Sequence, residues 1–122
     1  MEQKNDLLGN ALAMLFPIQW DEPFGLVMIE AMACGTPVIA MPGGSVPEIV
    51  RDGVCGFVCS TVDEMAARVK QAGALDPAQI RSCAENAFSL ERMVQRYADL
   101  YERILSGVPL TEVTAVPDRA IA

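Results

Sequence analysis

The 122-residue sequence contains no histidine, and its nine lysines and arginines are scattered along the chain instead of clustered. Sixteen aspartates and glutamates give a formal net charge of −7, so the chain would repel a nucleic-acid backbone or an anionic bilayer. No apolar run reaches the roughly 18 residues of a membrane span, and the opening MEQKND lacks the layout of a signal peptide. We therefore expect no nucleic-acid partner, no transmembrane segment and a cytoplasmic location.

The four cysteines form no C-x-x-C pair, and the chain has no histidine that could join them in a mixed Cys/His zinc set. Reduced thiols in the core are the expected state, and no metal is expected. A disulfide or a metal site is the alternative, with Cys55 and Cys59 as the pair that a turn could bring close.

The composition is 52% hydrophobic and 20% charged, which is typical of a packed globular domain. Short apolar segments at residues 12–18, 36–41 and 56–59 alternate with helical patterns. This alternation predicts an α/β fold, a partial Rossmann-like parallel sheet of about three strands flanked by helices and ending in two C-terminal helices. Because three strands are half of the usual layout, we expect part of the fold to be missing upstream, which would expose a sheet edge.

The helix boundaries carry recognisable capping signals. The segment 25–34 is apolar nearly all round and should be a buried helix ended by Gly35. Ser45 and Thr61 each begin a capping-box pattern, and Asp76 and Ser89 are expected to cap the last two helices. We predict one domain over residues 1–106 and a flexible tail over residues 107–122.

Two glutamates, Glu22 and Glu30, lie on either side of a loop-to-helix junction. Glu30 falls inside the apolar helix and must find hydrogen-bond donors, which could be sugar hydroxyls or an internal arginine or backbone amide. Glu22 is a ligand-binding carboxylate or an ordinary loop residue. The amides of Phe24, Gly25 and Leu26 precede or open the helix, so they form either an anion site or a simple helix cap.

Gly43 and Gly44 follow the second predicted strand, at the carboxyl end of the sheet where ligands bind in such folds. A ligand-binding loop and a tight turn are both compatible with this pair of glycines. Ser45 and Glu48 are interpreted as a capping pair first and as ligand contacts second.

The segment DEPFGLVMIEAMACGTPVIA, followed by GGSVPEIVRDGVCGFV, resembles the signature of the retaining GT-B glycosyltransferases grouped with glycogen, sucrose and lipopolysaccharide synthases. The resemblance implies that Glu22 lies at the transferred sugar, binds its hydroxyls and stabilises developing positive charge. It implies that Glu30 accepts hydrogen bonds from the ribose, and that the turn at residues 24–26 contacts the sugar and the diphosphate. A nucleotide sugar would then be the substrate, with no metal or other cofactor.

The sequence also departs from the family. Members have an N-terminal acceptor domain and bring an arginine and a lysine to the diphosphate, whereas no Lys or Arg lies between Asn5 and Val50 here. We therefore expect half a donor site, a fragment that transfers a sugar with retention only together with a missing N-terminal domain or a partner, and that is inactive alone. The alternatives are a non-catalytic interaction or nucleotide-binding domain, and the product of a truncated gene without activity.

Overall fold

A computed structural model describes residues 2–107, which form an α/β fold around a three-stranded parallel sheet. The strands are β1 (Met14–Phe16), β2 (Val38–Ala40) and β3 (Gly56–Val58), paired in the order β1-β2-β3. Met14 pairs with Val38, and Val38 pairs with Gly56. The predicted fold class is confirmed, although each strand is shorter than its apolar segment because only three residues of each are paired.

The caps of the helices were largely predicted. Thr61 Oγ1 accepts a hydrogen bond from the Glu64 amide at 3.1 Å, and Ser89 Oγ accepts one from the Arg92 amide at 3.3 Å. The helices of the described residues are α1 (Glu2–Gly9), α2 (Leu26–Ala33), α3 (Val46–Ile49), α4 (Val62–Ala72), α5 (Pro77–Phe88) and α6 (Leu90–Leu105).

The central strand β2 is fully buried, because helices cover the sheet on both sides. Ile39 belongs to a cluster with Phe57 of β3 and Met65 of α4. Side chains alternate across a strand, so the neighbours of Ile39 face the other way and are also inaccessible to solvent. Helix α2 contacts β1 and β2. Just beyond its C-terminal end, Gly35 has a φ of 81° and forms the left-handed cap that the sequence predicts.

The expectation that α2 is buried nearly all round is wrong. Met28 and Met32 are inaccessible, whereas Leu26 is 64% exposed and Val27 is 39% exposed. The apolar composition of α2 exceeds what the three-stranded sheet can cover. Strand β1 lies at the edge of the sheet, and its Leu15 is 54% exposed.

The described residues divide into two compact units, with the boundary between residues 84 and 85. In the second unit α6 is amphipathic, and the ring centroids of Tyr97 and Tyr101 on its apolar stripe are 6.2 Å apart. Most of the predicted flexible tail, residues 108–122, lies outside the described residues. Within residues 2–107 no helix is long and apolar enough to cross a membrane.

Candidate functional site

The loops that follow β1 and β2 meet at the carboxyl edge of the sheet. We call residues 17–25 the first loop and residues 41–45 the second loop. The Ser45 amide donates to the Glu22 carbonyl at 2.8 Å, and the Gly44 amide donates to Asp21 Oδ1 at 3.1 Å. Because β1 and β2 are parallel, both loops leave the same edge, and these bonds join them into one structure.

Both glycines of the second loop are required by the closeness of the first loop. Gly44 has a φ of 53°, and a Cβ atom there would overlap the Glu22 carbonyl oxygen and lie 2.5 Å from the Glu22 amide nitrogen. A Cβ atom on Gly43 would lie 2.8 Å from the Trp20 carbonyl oxygen. A tight turn therefore accounts for both glycines, and their contact with a nucleotide-sugar donor stays a prediction.

The Glu22 carboxylate is half-buried and organises the first loop. Its Oε1 accepts a hydrogen bond from the Gly25 amide at 3.0 Å, and its Oε2 accepts one from the Trp20 indole Nε1 at 3.3 Å. Glu22 is therefore more than an unattached loop carboxylate. It holds the turn into α2 in place.

The start of α2 presents backbone amides at this edge. Gly25 is the N-cap with a φ of 78°, and no side chain caps the helix at that position. The Gly25 amide is taken by Glu22, whereas the amides of Leu26 and Val27 lie in the first turn, where a helix supplies no internal partner. Together with the helix dipole they make this end of α2 suited to an anion. Phe24 and Leu26 flank it with exposed apolar side chains.

The capping role predicted for Ser45 is wrong. Ser45 has helical backbone angles, φ −76° and ψ −9°, and its side chain makes no cap bond, since a capping serine needs an extended backbone. Among the described residues its buried Oγ has no hydrogen-bond partner. It lies 3.4 Å from where a Cβ atom on Gly25 would be, so an unpaired hydroxyl packs beside the α2 start.

Glu30 is paired with a residue that sequence reasoning did not single out. Lys4 Nζ lies 2.6 Å from Glu30 Oε1, and the two side chains are 49% and 40% exposed. One side of α2 is open to solvent, so the free-energy cost of placing the Glu30 carboxylate on this apolar helix is smaller than expected. The internal donor is an α1 lysine and not an arginine or a backbone amide.

These residues lie in a segment shared with known proteins. A family model described as "Glycosyl transferases group 1" matches residues 1–89. The chain belongs to this family of glycosyltransferases. The resemblance stated from the motif is thereby confirmed.

Named relatives of this glycosyltransferase family include the D-inositol 3-phosphate glycosyltransferase of Mycobacterium marinum, 41% identical over 95 residues that cover 70% of this chain. The structure of AviGT4, a glycosyltransferase involved in avilamycin A biosynthesis, has a TM-score of 0.67 and 29% identity over 88% of this chain and 35% of its own. HepE of Anabaena in complex with UDP-glucose has a TM-score of 0.65 and 26% identity over 79% of this chain and 29% of its own. The chain spans about a fifth (20%) of the length of the mycobacterial relative.

The structure brings together Glu22, Gly25, Gly43 and Gly44, with Phe24 and Leu26 beside them, whereas Glu30 is bound to α1. The two residues whose side chains contact these glutamates, Trp20 and Lys4, were not among the predicted candidates. Trp20 had a usable signal, because it is the single tryptophan and lies two residues before Glu22, whereas no local pattern marks Lys4.

The cysteines stand apart from this site chemistry. Cys55, Cys59 and Cys83 are buried, as predicted for core cysteines, whereas Cys34 is half-buried. Burial raises the pKa of Cys55 to about 11, and burial also raises the pKa of Cys59. Within residues 2–107 no group of three metal-binding side chains is arranged to hold an ion.

Proposed function

We propose that this chain is the donor-binding part of a group 1 glycosyltransferase and that it holds a nucleotide sugar while the sugar is transferred with retention of configuration. One observation carries the proposal. The first loop, the second loop and the free amides of α2 converge at the carboxyl edge of a parallel sheet, within the segment that matches the family. That HepE of Anabaena was solved with UDP-glucose supports the choice of ligand.

Each element of the site has a proposed task. Glu22 faces the transferred sugar, accepts hydrogen bonds from its hydroxyls and stabilises the positive charge of an oxocarbenium-like transition state. The first amides of α2 receive the diphosphate, because they combine unpaired N–H groups with the positive end of the helix dipole. Glu30, four residues further along α2, accepts hydrogen bonds from the ribose. The nucleotide sugar is the substrate, and no metal or other cofactor is part of the proposal.

Transfer needs more than this site. A nucleoside diphosphate leaving group requires positive partners, and the loops and α2 offer backbone dipoles with no Lys or Arg between residues 5 and 50. We propose that an N-terminal acceptor domain supplies the acceptor and further cations, in keeping with the small share of its relatives' length that the chain spans. The chain alone should bind nucleotides weakly and transfer no sugar.

The proposal is tested by titrating the chain with UDP while the amide signals of residues 24–30 are followed by NMR. We expect a dissociation constant in the millimolar range, about −4 kcal/mol, as befits a partial site. Glu30→Gln should weaken binding roughly fivefold to tenfold, because it removes a charged hydrogen-bond acceptor.

Glu91→Gln is the matched control, since it removes the same charge from α6. It should bind UDP like the parent. The proposed function would be refuted if no amide signal of the parent shifted at tens of millimolar UDP. It would also be refuted if the parent and a folded Glu30→Gln variant bound UDP with equal affinity.

A further inference from the structure

We propose that Lys4 and Glu30 form a single diol-binding pair in which Glu30 accepts hydrogen bonds from the ribose hydroxyls and Lys4 donates to the same hydroxyl oxygens. The inference rests on the proposed function, because it adds a second residue to the nucleotide site. It assigns α1, a helix outside the signature motif, to substrate recognition.

The geometry of the pair leaves both groups capacity for a ligand. Lys4 Nζ lies 2.6 Å from Glu30 Oε1. An ammonium group carries three N–H donors and a carboxylate has about four lone-pair sites, so this bond uses one donor and one site. Since both side chains are about half exposed, at 49% and 40%, a ligand can reach them from solvent without breaking the bond.

The placement of Lys4 is set by packing as well as by charge. Helix α1 contacts α2, and the buried Thr36 donates its hydroxyl to the Leu8 carbonyl at 2.5 Å. Leu8 is one helical turn beyond Lys4, so this anchor at the end of α1 brings Lys4 opposite Glu30. No other Lys or Arg occurs before residue 51, so neither loop nor α2 could supply this cation.

The chemistry of a sugar diol explains why two residues are better than one. Each hydroxyl both donates and accepts a hydrogen bond, whereas a carboxylate only accepts. An ammonium group beside the carboxylate supplies the missing donor and keeps the local charge balanced. In a chain of net charge −7 it also lessens the repulsion of an anionic nucleotide.

The test compares UDP with 2′-deoxy-UDP, titrated into the parent chain and into Lys4→Met, Glu30→Gln and Lys70→Met variants. Methionine keeps an unbranched apolar stem while removing the ammonium group. Lys70→Met, in the last turn of α4, removes the same charge elsewhere. We expect Lys4→Met to weaken UDP binding about fivefold, the upper range for a solvent-exposed charge pair, and Lys70→Met to leave it unchanged.

The decisive comparison is the preference for the ribonucleotide. Lys4→Met and Glu30→Gln should each reduce the UDP over 2′-deoxy-UDP preference of the parent, whereas a general charge effect would weaken both ligands equally. Three results for a folded Lys4→Met variant would overturn the inference: equally weakened binding of both ligands, unchanged affinity for UDP, or tighter binding of UDP. Tighter binding would mean that Lys4 competes with the ribose for Glu30. If Glu30→Gln weakens UDP binding and Lys4→Met does not, the proposed function stands, but Lys4 is not part of the diol-binding site. A parent that binds no UDP removes both.

Discussion

Replacement of Gly44 by alanine should destabilise the chain by about 3 kcal/mol, because it strikes the junction of the two loops. A left-handed conformation costs an L-residue about 1–2 kcal/mol, and Gly44 has a φ of 53°. The added Cβ atom would overlap Glu22 main-chain atoms, which cannot rotate away as a flexible side chain can. Relief requires the loops to separate, which breaks the 2.8 Å Ser45–Glu22 and 3.1 Å Gly44–Asp21 hydrogen bonds, each worth about 1 kcal/mol. Alanine also makes the unfolded chain less flexible than glycine does, which offsets about 0.5–1 kcal/mol of the lost stability.

Gly53→Ala provides the matched control, since Gly53 has a φ of 74° with nothing within 4 Å of the added atom. Gly53→Ala should therefore lose only about 1 kcal/mol of stability, the cost of placing alanine in a left-handed conformation. Urea unfolding of the two variants should therefore differ by about 2 kcal/mol, and Gly44→Ala should also lose UDP binding. Equal losses of stability would show that the two loops are not packed tightly enough to exclude a methyl group, and the reasoning would fail.

Two further predictions concern the core and the sheet edge. Burial raises the pKa of Cys55 from 9.0 to about 11, so the contribution of its neutral thiol to stability is fully present below pH 9. That contribution, about 3 kcal/mol, is lost as the pH rises towards 11. Cys55→Ala should flatten this alkaline limb in urea unfolding, and an unchanged slope would contradict the assignment. We also expect self-association through the β1 edge, where Leu15 is 54% exposed. Leu15→Lys should favour the monomer in size-exclusion with light scattering, and a parent that remains monomeric at high concentration would exclude this edge.

The elements of the fold were predictable because apolar segments and caps are local signals. The strand–helix alternation and the caps at Thr61 and Ser89 need only neighbouring residues to form. Exposure on α2 was not predictable in the same way. Leu26 and Met28 are both apolar, and only tertiary packing determines that Met28 is buried while Leu26 is 64% exposed. Burial is a property of the tertiary arrangement.

The candidate site likewise contains features that the sequence could predict and features that depend on tertiary packing. Glu22 and Gly44 could be expected to meet, because parallel strands deliver their following loops to one edge. The Lys4–Glu30 pair, 26 residues apart in sequence, depends on how α1 packs on α2, and no local pattern reports it. Ser45 shows the opposite error, since a capping-box sequence is present while its backbone is helical and its hydroxyl cannot reach back.

Because Glu22 accepts two hydrogen bonds within the first loop, its proposed chemical role must be tested separately from its structural role. Alanine at position 22 would remove the acceptors for both the Gly25 amide, at 3.0 Å, and the Trp20 indole, at 3.3 Å, so the α2 start would lose its support together with the charge. Glutamine can keep its carbonyl oxygen towards Gly25, but its NH₂ group then faces the indole N–H, donor against donor. Glu22→Gln combined with Trp20→Phe removes that conflict. The double variant keeps the Gly25 bond and lacks the carboxylate charge, so a transfer rate that it loses in a complete enzyme reports charge stabilisation and not a collapsed loop.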